Sequence, residues 1–406
     1  MARPVFIIDG SRTPFLKARS GPGPFTPVDL AVQCGRPLLA RQPFAPDAFD
    51  QVILGCVNVI ADDMNPARVA ALRLGMGEAM VAFTVQINCG SGMQSIDTGY
   101  RYIREGISDL ILAGGAEALS HAPLVWPQQG VRWFAGLAGA KGILAKLAAF
   151  AKARASYFKP IIGLERGLTD PITELNMGQT AEVVGHLFGI TRAQADAYAA
   201  ESHKRLTNAQ AQGFLRGEVE TAFARDGKFY DHDDGVRPDS TPETLAKLKP
   251  VFERPWGQVT AGNSSQITDG ASWTILASED AVKKHGLTAR AVATELLRRN
   301  KLSLEDIETW ELNEAFATQV LGCLAAWNDE KFCREILGLD GPAGQIDHAK
   351  LNVDGGAISL GHPVGTSGNR IVLHLVNAMK RLGTRRGIAT ECIGGGQGGA
   401  MLIETV

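Results

Sequence analysis

The sequence predicts an α/β protein. Strand-like and helix-like segments alternate through the first hundred residues, and the alternation returns in the last hundred. Both regions also place a cysteine at a strand end before a glycine-rich segment, Cys89 before Gly90-Ser91-Gly92 and Cys392 before Gly394-Gly395-Gly396. That hints at two related halves, although no repeat is visible in the residues themselves.

Taken in order, residues 5–8 and 51–57 read as buried strands, 66–75 as a helix and 81–85 as a strand. Residues 90–105 read as a helix, and 109–113 as a strand ending in Gly114-Gly115. In the last hundred, 314–327 and 367–382 read as helices, and 387–392 and 400–404 as strands flanking the glycine turn. The pattern implies a largely parallel sheet. The middle, 119–255, differs. Thr191 and Gln194 have capping-box spacing and start a long helix toward Gln212. The 231–234 cluster around His232 reads as a polar loop, because no partner ligands stand at metal spacing.

From 118 to 164 there is no acidic residue, while Arg132, Lys141, Lys146, Lys152, Arg154 and Lys159 are present. Ile143, Leu144, Leu147, Phe150 and Ala151 share one helical face, with most of the lysines turned away. The stretch fits a surface for phosphates, an anionic membrane or an acidic partner. It equally fits a solvated amphipathic helix packed on its own protein.

A chain of 406 residues predicts one large composite domain or two to three domains. A formal net charge of −2 gives no global pull toward nucleic acid or anionic membrane. Six scattered cysteines without CxxC spacing argue for a reducing compartment and against zinc or a disulfide scaffold. No apolar run reaches membrane-spanning length, and Met1-Ala2-Arg3-Pro4 enters a strand-like run at once, so no leader is expected and the location expected is cytoplasmic.

Four stretches carry chemistry. Cys89 lies where a strand meets a helix start, whose free N–H groups favour an anion. An ordinary thiol, with a pKa of about 8.5, needs such help and a base besides. His362, framed by Gly361 and Pro363-Val364-Gly365, is the natural partner. Cys392 enters a triple-glycine turn able to aim N–H groups at an oxyanion. No Lys-Ser/Thr follows that turn, so it is not a P-loop. With Asn313-Glu314-Ala315-Phe316, these residues point to thiol chemistry on an acyl group.

In that order the chain resembles the thiolases. The matching stretches are Arg12-Thr13-Pro14-Phe15, Cys89-Gly90-Ser91-Gly92, Gly114-Gly115-Ala116-Glu117 and Met177-Gly178-Gln179-Thr180-Ala181-Glu182. Thr260-Ala261-Gly262-Asn263-Ser264-Ser265, Thr268-Asp269-Gly270-Ala271, Asn313-Glu314-Ala315-Phe316, Gly361-His362-Pro363 and Cys392-Ile393-Gly394-Gly395-Gly396 follow. The resemblance implies duplicated α/β halves in a five-layer αβαβα arrangement with an inserted loop domain. The boundaries expected are 1–118 for the first half (completed by about 256–276), 119–255 for the loop domain and 277–406 for the second half.

The resemblance also implies roles. Cys89 becomes acylated. His362 activates it and hydrogen-bonds the thioester oxygen, and Asn313 holds a water in the same oxyanion hole. Cys392 is the acid/base, and the amides of Cys89 and Gly394 form a second hole. Ser265 matches a contact to the pantetheine arm, Met177 lines the acyl pocket, and Phe316 joins them in binding substrate. No metal and no permanently bound cofactor is implied; coenzyme A is a co-substrate. The activity implied is thiolysis of 3-ketoacyl-CoA, with condensation of two acetyl-CoA or a non-catalytic scaffold as alternatives.

The partners implied are a second copy or three more, a hydratase/dehydrogenase subunit, and a peripheral membrane contact through 130–160. The basic segment and the 327–348 insertion resemble β-subunit thiolases of trifunctional complexes, but Asn313 departs from them, since those usually carry His there. Gln86 replaces a frequent Asn. From Asp269 to Asn313 the chain is about thirty residues shorter than the family pattern, and Ala291-Val292-Ala293-Thr294 reads like a join.

Overall fold

A computed structural model describes residues 3–294 and 302–406. It contains two compact units, Ala122–Met177 and the remainder, Met1–His121 with Gly178–Val406.

The larger unit is built on nine main strands. They are β1 (Val5–Arg12), β2 (Gln51–Gly55), β3 (Val81–Val85), β4 (Leu110–Ala118), β5 (Thr268–Ser278), β6 (Ala291–Thr294), β7 (Thr309–Leu312), β8 (Arg386–Ile393) and β9 (Gln397–Thr405). Their order is β7-β8-β9-β6-β1-β5-β4-β2-β3, and the short strand Leu16–Lys17 pairs with β5. Outward from β1 the sequence of neighbours is β5, β4, β2, β3. Outward from β6 it is β9, β8, β7, and then Leu351, which bridges Trp310 of β7 in parallel. The two runs match position for position, which gives the suspected duplication a structural form. The sheet is mixed rather than largely parallel. β2/β3, β2/β4 and β7/β8 are parallel, but β5 and β9, the last strand of each half, return antiparallel to both neighbours.

Helices α1 (Pro27–Ala40), α2 (Ser91–Arg104), α5 (Arg192–Gln212), α6 (Ala317–Asn328) and α7 (Val364–Leu382) cover these strands. Local chemistry sets their ends. Thr26 caps α1 with Asp29 in a reciprocal box, and Thr191 caps α5 with Gln194. Gly213 closes α5 in the left-handed conformation. Helices α2 and α7 form the middle layer. Ile96 and Ile103 of α2 and Ile371, Leu375 and Met379 of α7 pack between Ile7, Ile53 and Ile111 on one side and Ala389 and Ile403 on the other. α1 lies in a second apolar cluster, and α6 in a third around Trp310 and Ile388. Each fully buried large apolar side chain contributes about 1.5–3 kcal/mol, so the middle seam does most to hold the halves together.

Two boundaries and one loop near the candidate residues differ from the sequence expectation. β4 does not stop before Gly114-Gly115. Those glycines are packing positions inside the strand, where a Cβ would strike the Trp273 ring and the Gly365 backbone. The helix expected from 314 begins at Ala317, because 313–316 is held in a non-helical turn: the Ala315 amide donates to the Asn313 carbonyl (3.1 Å), the Ser265 amide donates to the Ala315 carbonyl (2.9 Å) and Ser264 bridges Phe316. The 231–234 cluster is more than a polar loop. Asp233 is fully buried, accepts both terminal nitrogens of Arg12 (2.7 and 2.9 Å) and takes the Phe15 amide (2.7 Å).

The suspected join at 291–294 is a strand in unbroken register, Ala291 opposite Thr405 through Thr294 opposite Leu402. Residues 295–301 lie outside the described residues. The link between the first two strands of a half occupies 13–50 in one half and only 295–308 in the other.

The smaller unit holds α3 (Gln128–Gly139), α4 (Ile143–Phe150) and the strand pair Leu124–Val125 and Ile161–Ile162. The Trp133 indole donates to the Ala149 carbonyl (2.9 Å), and its ring meets those of Phe134 and Phe158.

Candidate active site

Cys89 stands in a bend between β3 and α2. Asn88 makes the bend with a left-handed φ of 47°. Ser91 staples it: the hydroxyl accepts the Ile87 amide (2.9 Å) and donates to the Asn88 carbonyl (2.7 Å). α2 follows at once with Gly90 at its N-cap and no side-chain cap, so its positive end lies beside the cysteine. Gly92 has to be glycine. A Cβ there would lie 2.7 Å from the Asn369 amide nitrogen and 2.9 Å from the Thr366 carbonyl, both on α7.

The β8–β9 turn comes back to this bend. The Asn88 side-chain amide donates to the Gly394 carbonyl (2.9 Å), and a Cβ at Gly90 would run into Ile393. The Gly394 amide opposes the rise of the Cys89 thiol, and Cys89 is close enough to Cys392 to raise it. Cys89 is buried and Cys392 half-buried.

His362 sits between a short helical turn, Ala357–Leu360, and α7. The Ser367 hydroxyl donates its single hydrogen to the Pro363 carbonyl (3.1 Å). Its oxygen is therefore the acceptor for Nδ1 of His362 (2.6 Å), which assigns the proton to Nδ1. Nε2 is left buried, with a free lone pair and no protein partner. Burial, and secondarily Arg370, bring this imidazole down to about 4, so it is a neutral acceptor at neutral pH.

Asn313 directly follows β7, its amide on the Thr390 carbonyl (2.9 Å) of β8, the strand that carries Cys392. Both polar atoms of its side chain are buried without a protein partner. Ser265 and Phe316 are half-buried beside it through the contacts that keep 313–316 out of the helix. Met177 is the last residue of the smaller unit, its amide on the Leu168 carbonyl (3.0 Å). A cavity of about 740 Å³ lined by Asp9, Arg41, Arg290, Lys380 and Arg385 includes none of these residues.

The thiols are not sharpened in the way the helix start alone suggests. Burial, with the Glu391 carboxyl next, raises Cys89 to about 11 against the opposing Gly394 amide. Burial, and then Cys89, raise Cys392 well above the usual range. A helix end contributes about 0.3–2 kcal/mol, which desolvation exceeds here. Both sulfurs are S–H in the free protein, and Cys89 needs a base.

Three buried carboxyls escape sequence reading. Glu117 accepts the amides of Asn58 (2.8 Å), Gly365 (2.9 Å) and Val57 (3.1 Å), and burial raises it to about 7. Glu314 gathers Ser202 (2.7 Å), Tyr198 and Asn352 (2.9 Å each) and the Ile358 amide (3.2 Å), which fixes the segment behind Asn313. Glu391, beside Cys392, is buried with neither oxygen partnered, and burial raises it well above the carboxylate range. Glu117 and Glu314 stood inside noted stretches, but only the fold shows what they hold.

Residues 5–280 match the family profile of the thiolase N-terminal domain, and 271–405 that of the C-terminal domain. The β-ketoadipyl-CoA thiolase of Pseudomonas aeruginosa is 37% identical over 432 aligned positions that cover all of both chains. Since this chain has 406 residues, at least 26 of those positions are gaps in it. The mitochondrial 3-ketoacyl-CoA thiolase of Bos taurus is 35% identical, covering 100% of this chain and 99% of its own. The crystal structure of human mitochondrial 3-ketoacyl-CoA thiolase in complex with CoA superposes with a TM-score of 0.83 at 33% identity, covering 100% of this chain and 98% of that one.

Proposed function

Because the chain belongs to the thiolase family, we propose that it cleaves 3-ketoacyl-CoA with coenzyme A, through an acyl-Cys89 intermediate. The observation that carries this reading is the tie between the Cys89 bend and the Cys392 turn, with the Asn88 side-chain amide on the Gly394 carbonyl.

The cycle balances on the residues named. His362 Nε2 takes the Cys89 proton, and the thiolate attacks the 3-keto carbon. The alkoxide that forms is held by N–H donors, the amides of Cys89 and Gly394. The bond between C2 and C3 then breaks. The leaving enolate of acetyl-CoA lies against the His362 N–H and the water that Asn313 holds, and Cys392 gives it a proton. Coenzyme A next loses its thiol proton to the Cys392 thiolate and attacks the thioester. Cys89 leaves and recovers its proton from His362. Ser265 meets the pantetheine arm, while Phe316 bounds the acyl group.

Thiolysis of acetoacetyl-CoA and a long-chain 3-ketoacyl-CoA, with wild type and Cys89→Ala, tests the reading. Equal rates in the two proteins would end it. The relative named for β-ketoadipyl-CoA favours a second reading, a dicarboxylic acyl substrate; faster thiolysis of 3-ketoadipyl-CoA than of the long-chain substrate would select it. Condensation of acetyl-CoA uses the same steps in reverse. β3 leaves one rim of the sheet unpaired, which supports a homo-oligomer.

A further inference from the structure

We propose that the cleft at the C-terminal end of α7 binds a small anion of nucleotide size that carries two or more phosphates. The cleft measures about 740 Å³, within the usual range for a ligand of that size. Its walls come from five parts of the larger unit: β1, the end of α1, the Gly286–Arg290 link into β6, the link from α7 to β8, and the end of β9. α7 has 19 residues and runs for about 29 Å. His362 stands before its first turn and the cleft opens at its last, so the two places are separate.

Charge selects the ligand. Asp9 is buried and accepts Arg41 (2.7 Å), Arg290 (2.5 Å), the Gln42 side chain (3.0 Å) and the Gly10 amide (2.8 Å). Arg41 also holds Glu220 (2.5 Å) and the Gly10 carbonyl (2.7 Å). This group is a fixed wall whose charges cancel, two guanidinium groups against two carboxylates. Lys380 and Arg385 are left over. Both line the cleft and are exposed, and neither side chain is in an ion pair among the described residues. Glu308 accepts the Arg385 backbone amide (2.6 Å), and Glu404 pairs with Arg386 instead (2.8 Å). The negative pole of α7 ends here, but the Met379 carbonyl is already taken by the amides of Gly383 and Thr384. A guanidinium fork and an ammonium on one rim suit phosphate oxygens, and two separate cations suit two phosphates better than one. Pro43 and Leu287 give the rest of the ligand an apolar wall.

The test is titration calorimetry of the full chain with sodium tripolyphosphate at low and high salt. Saturable binding is expected, weakened by salt. Lys380→Gln with Arg385→Gln should weaken it ~25-fold at low salt, about fivefold for each charge lost. Thr288→Glu adds a negative charge at an exposed position of the Gly286–Arg290 link and should weaken it too. Without ligand all three proteins should melt alike, and tripolyphosphate should raise the melting temperature of wild type most. If the double variant melts lower by itself, Thr288→Glu decides. Absence of binding at millimolar tripolyphosphate overturns the proposal. So does undiminished binding by the variants, which would put the anion on another basic surface, or equal affinity for sulfate, which would mean screening alone. A KM for coenzyme A raised in step with the lost affinity overturns it as well, because the cleft would then belong to the acyl-transfer site.

Discussion

The side-chain amide of Asn88 donates to the carbonyl oxygen of Gly394, 2.9 Å away across 306 residues of chain. This one bond joins the turn that carries the first cysteine to the turn that follows the second. Asn88 also has the φ of 47° that most side chains avoid. Asn88→Ala therefore loses twice: a hydrogen bond of about 0.5–1.5 kcal/mol and a left-handed backbone of about 1–2 kcal/mol. Steady-state kinetics should show a fall in kcat of tens of fold, with the KM for coenzyme A little changed. A proportional rise in KM instead would place the bond in substrate binding.

The neutral state of His362 predicts the acid side of the pH profile. With the imidazole at about 4, kcat/KM should hold down to that region instead of falling through the ordinary histidine value. Cys89, at about 11, predicts the other side: iodoacetamide alkylation of the free protein should climb steadily through alkaline pH. His362→Asn should lower kcat by ~10²–10⁴. A Cys89 alkylation midpoint near neutrality would contradict the buried S–H state.

Much of this was legible in the residues. The bends at Cys89, His362 and Cys392 announce themselves through the glycines and the proline around them, because a backbone that must bend tightly uses few residue types. The capping box at Thr191 and Gln194 marks a helix start for the same local reason. What stayed hidden depends on distant partners. Gly114 and Gly115 look like a turn until Trp273 and Gly365 are seen against them. Glu117, Glu314 and Asp233 look like surface acids until the amides and the Arg12 guanidinium they hold are in place. Nor can periodicity show that 313–316 stays out of the helix, since Ser264 and Ser265 hold it from elsewhere in the chain.

His374 should make stability depend on pH. It is buried on α7 between Glu218 (3.0 Å) and Asp354 (3.1 Å), with Glu311 (3.9 Å) beyond; Arg12 and Arg381 pair with Glu218 and Asp354. Burial opposes its charge, but these carboxylates outweigh burial and raise it to about 10. That is above its unfolded value of about 6.5, so the stabilisation is complete below that pH and fades as pH rises through about 10. His374→Gln should be less stable by about 3–5 kcal/mol at neutral pH, because it strands buried carboxylates. Urea denaturation should show the gap closing toward pH ~10; a gap independent of pH would mean that packing, not charge, is responsible.

Gly92→Ala tests the contact between the two middle helices. The added Cβ meets backbone atoms of α7 that cannot swing aside. A loss of about 1–3 kcal/mol is expected, with a drop in kcat as the starts of α2 and α7 separate. Retained stability and full activity would show that the helices have room to spare.

The start of α2 has a consequence for divergence. It carries no side-chain cap, so the positive charge beside Cys89 belongs to peptide groups. Any of many point mutations deletes a lysine or an arginine, but only a change to proline removes an amide N–H. This share of the electrostatics is inherited with the shape of the bend, and a lineage can rewrite most of its side chains and still keep it.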